Sequence, residues 1–322
     1  MHARDLVAAL ADGSALSGSA LAARFGVTRT MVWKRIEELR AAGLDIDAAA
    51  GQGYRLAAPV ELLDADAIRA AMRPDAAARC GDVAIHWQID STSSELLRRA
   101  ANAPDLAVCL AEQQTAGRGR RGRAWQSPPA CNVYLSLVKR FDRGMAGLVG
   151  LSLAVGVAVA QALEDCGARG IGLKWPNDVL ADGRKLAGIL VELGGEFLGP
   201  CHAVIGIGVN VRLPDAARAA IDQAATDLAS ASSAPTGRNR VVARLLECLV
   251  DRLDAFERDG FAACRADYAR YDVLRDVPLV ATDARGAHRG IGAGVDERGA
   301  LRVRDGDAVA LFDSAEVTVR RE

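Results

Sequence analysis

Gly117-Arg118-Gly119-Arg120-Arg121-Gly122-Arg123-Ala124-Trp125 sets four arginines among three glycines within seven residues, and a tryptophan stands two positions on. The segment has no apolar face to bury, and its charge is all of one sign. Glycine permits positive φ and a close approach of backbone to ligand. Arginine offers a planar fork of donors suited to carboxylate and phosphate oxygens. The stretch reads as a loop that closes over an anionic ligand, and its flanks decide the fold that carries it. Gly117, Gly119 and Gly122 satisfy G-x-G-x-x-G, a strand precedes (Leu106 to Gln113), and Asp142 lies at about the right distance for a dinucleotide fingerprint. That fingerprint must open a helix at once. Gln126-Ser127-Pro128-Pro129 bars one, because proline lacks the amide donor and disfavours helix in the residue before it. A strand, Asn132 to Lys139, follows instead. The competing reading is a solvated basic loop or a nucleic-acid patch.

Outside the loop the composition is ordinary. The chain has 322 residues, half of them apolar and a quarter charged, enough for two or three domains with a real core. A formal net charge of −1 gives no global attraction to nucleic acid or an anionic membrane, so any anion site is local. Seven cysteines without a C-x-x-C pair predict reduced, mostly buried thiols and a cytoplasmic protein. The four scattered histidines suggest neither a metal site nor a triad base. Asp5 and Asp12 argue against a signal peptide. Met145 to Leu163 carries no charge and is long enough to span a bilayer. Its Ala and Gly content, with Ser152 and Gln161, predicts a helix buried in an α/β core and no membrane partner.

Residues 1 to 57 read as helices and a short ribbon. Asp5 to Leu10 forms one helix, Ser19 caps a second ending at Phe25, and Thr28 caps a third with Val32, Ile36 and Leu39 on one face. Leu44 to Ile46 and Tyr54 to Leu56 flank a turn at Gly51-Gln52-Gly53. This order resembles a winged helix-turn-helix module, whose third helix would present Thr28, Arg29, Thr30, Trp33 and Lys34 to DNA. Seven basic residues against six acidic ones leave the module nearly neutral, so a winged helix used only for protein contacts stands as the alternative.

From Val83 strands alternate with helices. Asp90-Ser91-Thr92-Ser93-Ser94 offers hydroxyls where a helix, Glu95 to Ala101, begins, and amide donors there suit a polar ligand. Plain capping would need only one of them. Ile171 to Val179 is a strand broken at Pro176, leaving Asn177 and Asp178 in a turn. Lys185 heads an apolar strand, and Ala203 to Val211 is another, with Gly206 and Gly208 baring one face and Asn210 a lone amide. An amphipathic helix covers 241 to 260. Short β segments from about Asp272 read as a small barrel.

Four blocks in this order, G-R-G-R-R-G-R-x-W at 117–125, K-W-P-N-D at 174–178, K-L-A-G-I-L at 185–190 and G-I-G-V-N at 206–210, resemble the hallmark blocks of biotin–protein ligases. The helix-turn-helix ahead and the barrel behind make the chain similar to the bifunctional bacterial form, which is also a biotin operon repressor. The resemblance covers essentially the whole chain. It implies an α+β multidomain protein: a winged helix-turn-helix at 1–63, a central α/β ligase domain with a mixed sheet at 64–271, and an SH3-like β-barrel at 272–322. It also implies ATP and Mg²⁺ (bound through ATP, with no protein metal site), biotin as substrate, and biotin carboxyl carrier protein of acetyl-CoA carboxylase as acceptor. Operator DNA and a homodimer formed on adenylate binding complete the partners. Ser91, Thr92, Ser93 and Gln114 correspond to contacts with the biotin ring. Gly117, Arg118, Gly119 and Arg120 correspond to the loop over carboxylate and phosphate. Lys185, with Arg118 and Arg120, corresponds to the catalytic cations, Gly188 and Gly206 to the pocket lining, and Trp125, Asn177 and Asn210 to the nucleotide contacts. Ser93 stands where the family often has Asn, which predicts retuned affinity, and Ala124 stands where the family has Lys. A ligase whose winged helix has lost its operator, and a lipoate- or octanoate-handling relative, are the other readings.

Overall fold

Alternation of apolar residues every three to four positions builds the first unit. The computed structural model describes residues 1–49, 53–234, 236–283, 286–313 and 318–321. Helices α1 (Ala3–Leu10), α2 (Gly18–Phe25) and α3 (Arg29–Ala41) precede a ribbon of β1 (Ile46–Ala49) and β2 (Gly53–Leu56). Ser17, not Ser19, caps α2, accepting a bond from the Ala20 amide at 3.0 Å. Thr28 caps α3 as expected, through the Met31 amide at 3.2 Å. Leu6, Leu10, Leu21, Val32 and Ile36 are fully buried between these helices. Gly51 and Gln52 of the expected turn lie outside the described residues.

Next come α4 (Ala65–Ala71), α5 (Pro74–Arg79), β3 (Val83–Ile89), α6 (Thr92–Arg99), β4 (Val108–Gln114) and β5 (Val133–Phe141). Then follow α7 (Leu151–Asp165), β6 (Ile171–Lys174), β7 (Asp178–Ala181), β8 (Arg184–Gly195) and β9 (Cys201–Val209). Helix α4 starts at Ala65, because Asp64 caps it through the Ala67 amide at 2.8 Å. The strands form a seven-stranded sheet in the order β3-β4-β5-β9-β8-β7-β6. Only β3 and β4 run parallel, so the sheet is mixed. Short helices α8 (Asp215–Ala219) and α9 (Leu228–Ala231) lead to α10 (Arg238–Asp259) and α11 (Arg265–Tyr271).

One face of the sheet is covered by α7 and α10, and this layer holds the main core. The apolar run is two pieces: a single 3-10 turn at Met145–Leu148, then α7, separated by Gly150 at φ 85°. A side chain at Gly150 would sit 2.8 Å from Phe261, so this positive-φ position requires glycine. Met145–Asp165 is apolar and long enough to cross a membrane by composition alone, yet 67% of it is buried inside this fold. On the other face α6 lies over β4, β5 and β9.

Strands β10 (Pro278–Asp283), β11 (Gly286–Val295), β12 (Leu301–Asp305), β13 (Ala308–Phe312) and β14 (Thr318–Arg321) make an antiparallel sheet in the order β13-β12-β11-β10-β14. The sequence predicts the last β segment over Glu316 to Arg320, and Glu316 and Val317 lie outside the described residues. A bulge between Gly292 and Val295 bends this sheet. Its buried residues Leu279, Leu301, Val303 and Phe312 join the central core, and Trp175 donates its indole N–H to the Gly299 carbonyl at 3.1 Å. The linker from the winged helix is fastened just as firmly. Arg238 and Asn239 at the start of α10 bond to the Glu61 and Leu62 carbonyls, and Glu112 on β4 accepts from the Leu63 amide at 2.6 Å.

Candidate active site

Three elements end around one patch of the sheet. Helix α6 begins at Thr92, one turn earlier than its apolar pattern suggests, because Ser91 caps it through the Ser94 amide at 3.4 Å. Thr92 and Ser93 are therefore first-turn residues aimed at the sheet, and both are buried. The Thr92 amide donates to Gln114 Oε1 at 2.9 Å, and Gln114 Nε2 donates to Ser127 Oγ at 3.2 Å. Thr92 and Ser93 both share hydroxyl contacts with Ser136 Oγ, at 2.8 and 2.9 Å. A side chain at Gly206 would come within 2.5 Å of Ser93 Oγ, so bare backbone is needed there. Ser136 was missed by sequence reasoning, although a serine in the apolar run Val133 to Val138 was a visible signal.

The arginine loop is a small hairpin. Trp125 N donates to Gly117 O at 2.9 Å, Gly119 N donates to Arg123 O at 2.7 Å, and Arg118 bridges Ala124. Arg120–Gly122 is a 3-10 turn, with Arg121 at φ 57° and Gly122 at φ 72°. Gly117 is enclosed: a side chain there would meet Trp125 O at 2.8 Å. Arg118 makes a two-pronged pair with Glu192 on β8, at 2.9 and 2.8 Å. Arg120 reaches Asn177 Oδ1 at 3.3 Å, while Asn177 Nδ2 donates to Ile189 O at 3.0 Å. Burial pulls the Arg120 guanidinium below its ordinary value, opposed by nearby Asp178. Arg121 and Arg123 stay exposed on the loop's outer side.

Lys185 sits at the foot of the loop. Its Nζ is 2.8 Å from Asp178 Oδ1, with side-chain exposures of 15% and 16%, and lies 5.4 Å from the centre of the Trp125 ring. The indole rests on two bare strand positions. Side chains at Gly188 and Gly208 would approach it to 2.8 and 2.4 Å. Trp125 Nε1 is buried without a partner. Thus Ser91, Thr92, Ser93, Gln114, Gly117, Arg118, Gly119, Arg120, Trp125, Asn177, Lys185, Gly188 and Gly206 form one region. Asn210 is set apart: it follows β9 instead of lying within it, is 3% exposed, and donates Nδ2 to Thr226 O at 3.1 Å. It fixes the 225–228 segment, which runs alongside Lys185 through Thr226 N to Lys185 O at 2.9 Å.

In the winged helix, Thr28 at the cap of α3 and Arg29, Thr30, Trp33 and Lys34 on it are all exposed, Trp33 by 55%. Glu37 and Glu38 are occupied by Arg40 and Arg35. The seven cysteines are unpaired and only Cys248 is more than slightly accessible. Burial pushes the thiols up, to about 12 for Cys109 and about 11 for Cys264, so they are inert at neutral pH.

A mixed sheet roofed by a cationic hairpin, fused to a helix-turn-helix unit, is a defined class. Residues 86–210 match the Biotin/lipoate A/B protein ligase family, and residues 2–55 match an HTH domain. The bifunctional ligase/repressor BirA of Salmonella typhimurium is 36% identical over 315 residues, spanning 98% of this chain and 96% of that protein. A biotin–[acetyl-CoA-carboxylase] ligase of Mycobacterium tuberculosis is 37% identical over 239 residues, 71% of this chain and 86% of the relative. The structure of a biotin protein ligase from Aquifex aeolicus in complex with biotin and ATP aligns with a TM-score of 0.65 at 26% identity, over 75% of this chain and 99% of that one. The chain belongs to the family of bifunctional biotin–protein ligase/repressors.

Proposed function

We propose that this chain joins biotin to a carrier-protein lysine at the expense of ATP, and that its winged helix represses biotin-synthesis genes. The observation that carries the ligase reading is the Trp125 indole seated on Gly188 and Gly208 with Lys185 against it, while Arg118 and Arg120 of the same loop bond to Glu192 and Asn177. Biotin's carboxylate oxygen attacks the α-phosphorus of ATP, the bond to pyrophosphate breaks, and biotinyl-5′-adenylate forms. A lysine amine of the carrier then attacks the acyl carbon, AMP leaves with the bonding electrons, and the amine loses its proton. Neither step needs an enzyme nucleophile, so fixed cations and positioning supply the catalysis.

Lys185 and Arg120 neutralise charge on the reacting oxygens, and Arg118 holds the loop shut against Glu192. Thr92, Ser93, Ser136 and Gln114 present an ordered set of donors and acceptors to the biotin ring, with Ser91 fixing the start of α6. The indole of Trp125 shields the nucleotide. Asn177 serves the nucleotide and Mg²⁺, which arrives on the ATP phosphates and supplies charge neutralisation there. Among the described residues no cluster of three or more His, Cys, Asp or Glu is arranged to hold a metal. Asn210 acts as a positioning residue beside Lys185. We divide the chain at 1–63, 64–271 and 272–322, assign it to the cytoplasm, and expect adenylate to favour a homodimer that binds operator DNA.

Incubating the protein with Mg²⁺, ATP, biotin and the carrier domain should biotinylate one lysine, read by intact mass. Absence of that product would sink the ligase reading. A gel shift on the biotin-synthesis promoter should require biotinyl-adenylate. Absence of any shift would leave a ligase without repressor function.

A further inference from the structure

A second cationic cavity lies between α11 and the C-terminal sheet. It measures about 290 Å³ and includes Arg265 from α11, Arg275 from the connector and Arg302 from β12 among its walls. None of the residues of the arginine-loop site lines it. A wider surface recess of about 450 Å³ adjoins it and shares Arg265, Val295 and Arg302.

Charge in the cavity is unbalanced. Among the described residues the Arg265 and Arg302 side chains have no ion pair or hydrogen bond, while Arg275 lies 3.9 Å from the exposed Asp276 and also acts on Asp272. Among the described residues Asp272 is the one carboxyl on the inner wall. Its Oδ1 accepts from the Leu274 amide at 2.9 Å. Burial raises the Asp272 pKa against the pull of Arg275, and this single carboxyl stands against three guanidinium groups on the inner wall. In the outer recess Asp296 is spent on its own turn, accepting from Arg298 N and Ala300 N at 2.9 and 2.8 Å, and Glu297 is a second carboxyl lining it with Arg265 and Arg302. Tyr268, 1% exposed, also lines the cavity, and its hydroxyl is buried without a partner. Solvated surface arginines are common. Three on separate elements around one cavity are not scattered.

We propose that this cavity binds a phosphate group through Arg265, Arg275 and Arg302, as a site separate from the one beneath the arginine loop. Phosphate fits better than carboxylate. Three forks from three directions can engage its three terminal oxygens, and close to two negative charges match the surplus of guanidinium. The group is either free phosphate or pyrophosphate, or the phosphate of a nucleotide.

Calorimetric titration of the full-length protein in low-salt, phosphate-free buffer separates these sources, using inorganic phosphate, pyrophosphate and AMP in turn. The comparison is with an Arg265→Gln/Arg302→Gln double variant. Saturable binding that weakens at least tenfold in the variant supports the site. Phosphate or pyrophosphate showing this loss identifies the free anion, and AMP alone showing it identifies the nucleotide. Biotin-dependent ATP–pyrophosphate exchange and the thermal midpoint should be unchanged in the variant, so failure here leaves the ligase reading intact. Equal binding in both proteins for every anion, or no binding, overturns the proposal.

Discussion

Lys185 is the residue on which the chemistry leans hardest. Its ammonium is mostly buried, held by Asp178 and placed against Trp125. Fixed cations in dry sites are worth orders of magnitude in rate. Lys185→Ala should therefore lower kcat/KM for adenylation by about two to three orders of magnitude, whereas Trp125→Phe keeps a ring and should cost only a few-fold. Equal mild losses, measured by pyrophosphate exchange, would contradict the assignment. Ser136→Ala removes the hydroxyl that joins Thr92 to Ser93. Loss of about 1 kcal/mol per hydrogen bond corresponds to roughly fivefold weaker biotin binding, and unaltered affinity by calorimetry would refute the role. Asp90, at the entry to α6, is held down to about 2 by the Arg98 guanidinium. Its folded value is depressed, so its stabilisation is present above the unfolded pKa, near ~4, and lost as pH falls through about 2. Asp90→Asn should thus lower the thermal midpoint at pH 7 and have a much smaller effect at pH 2. Ser91, Thr92, Gln114 and Lys185 were legible in the sequence because motif and chemistry coincide there. Ser136, Glu192 and Asp178 were not, since partners across strands depend on register.

At the scale of elements, the site depends on what the strands omit. Gly188 and Gly208 face each other across the β8–β9 pair, and the Trp125 indole takes up the space. Gly208→Ala puts a methyl where the indole lies at 2.4 Å. The loop must lift, so adenylation should fall at least tenfold by the preorganisation argument, with partial recovery in Gly208→Ala/Trp125→Ala. Lack of any effect on KM for ATP or biotin would show that the loop does not close this way. Sequence periodicity placed the strands well, and the prolines at 128 and 129 correctly excluded a dinucleotide helix. It misplaced ends governed by local bonds and backbone: Ser91 starts α6 early, Asn210 leaves β9, and Gly150 at positive φ splits the apolar run.

Across the whole molecule the units are fastened together. Ala130 and Cys131, just past the arginine loop, are buried in the winged-helix core, and Pro128 meets Gly43. Arg238 and Glu112 form a buried pair at 2.7 Å, 5% and 1% exposed, beneath the linker. Removing one member strands a buried charge, so Glu112→Ala should destabilise by about 3–5 kcal/mol, read as a lowered denaturant midpoint. Replacing both residues with apolar ones should recover much of that loss, and a negligible loss in the single variant would show the linker is not held here. None of this tertiary fastening was visible in the chain order, because its partners lie 49 to 178 positions apart.

The central claim is that the cations around Trp125 activate a biotin carboxylate. ATP–pyrophosphate exchange with the purified protein and Mg²⁺, run separately with biotin, lipoate and octanoate, tests it most directly. Exchange with biotin alone is the predicted result. Exchange with lipoate or octanoate instead, or with no acid at all, would contradict it.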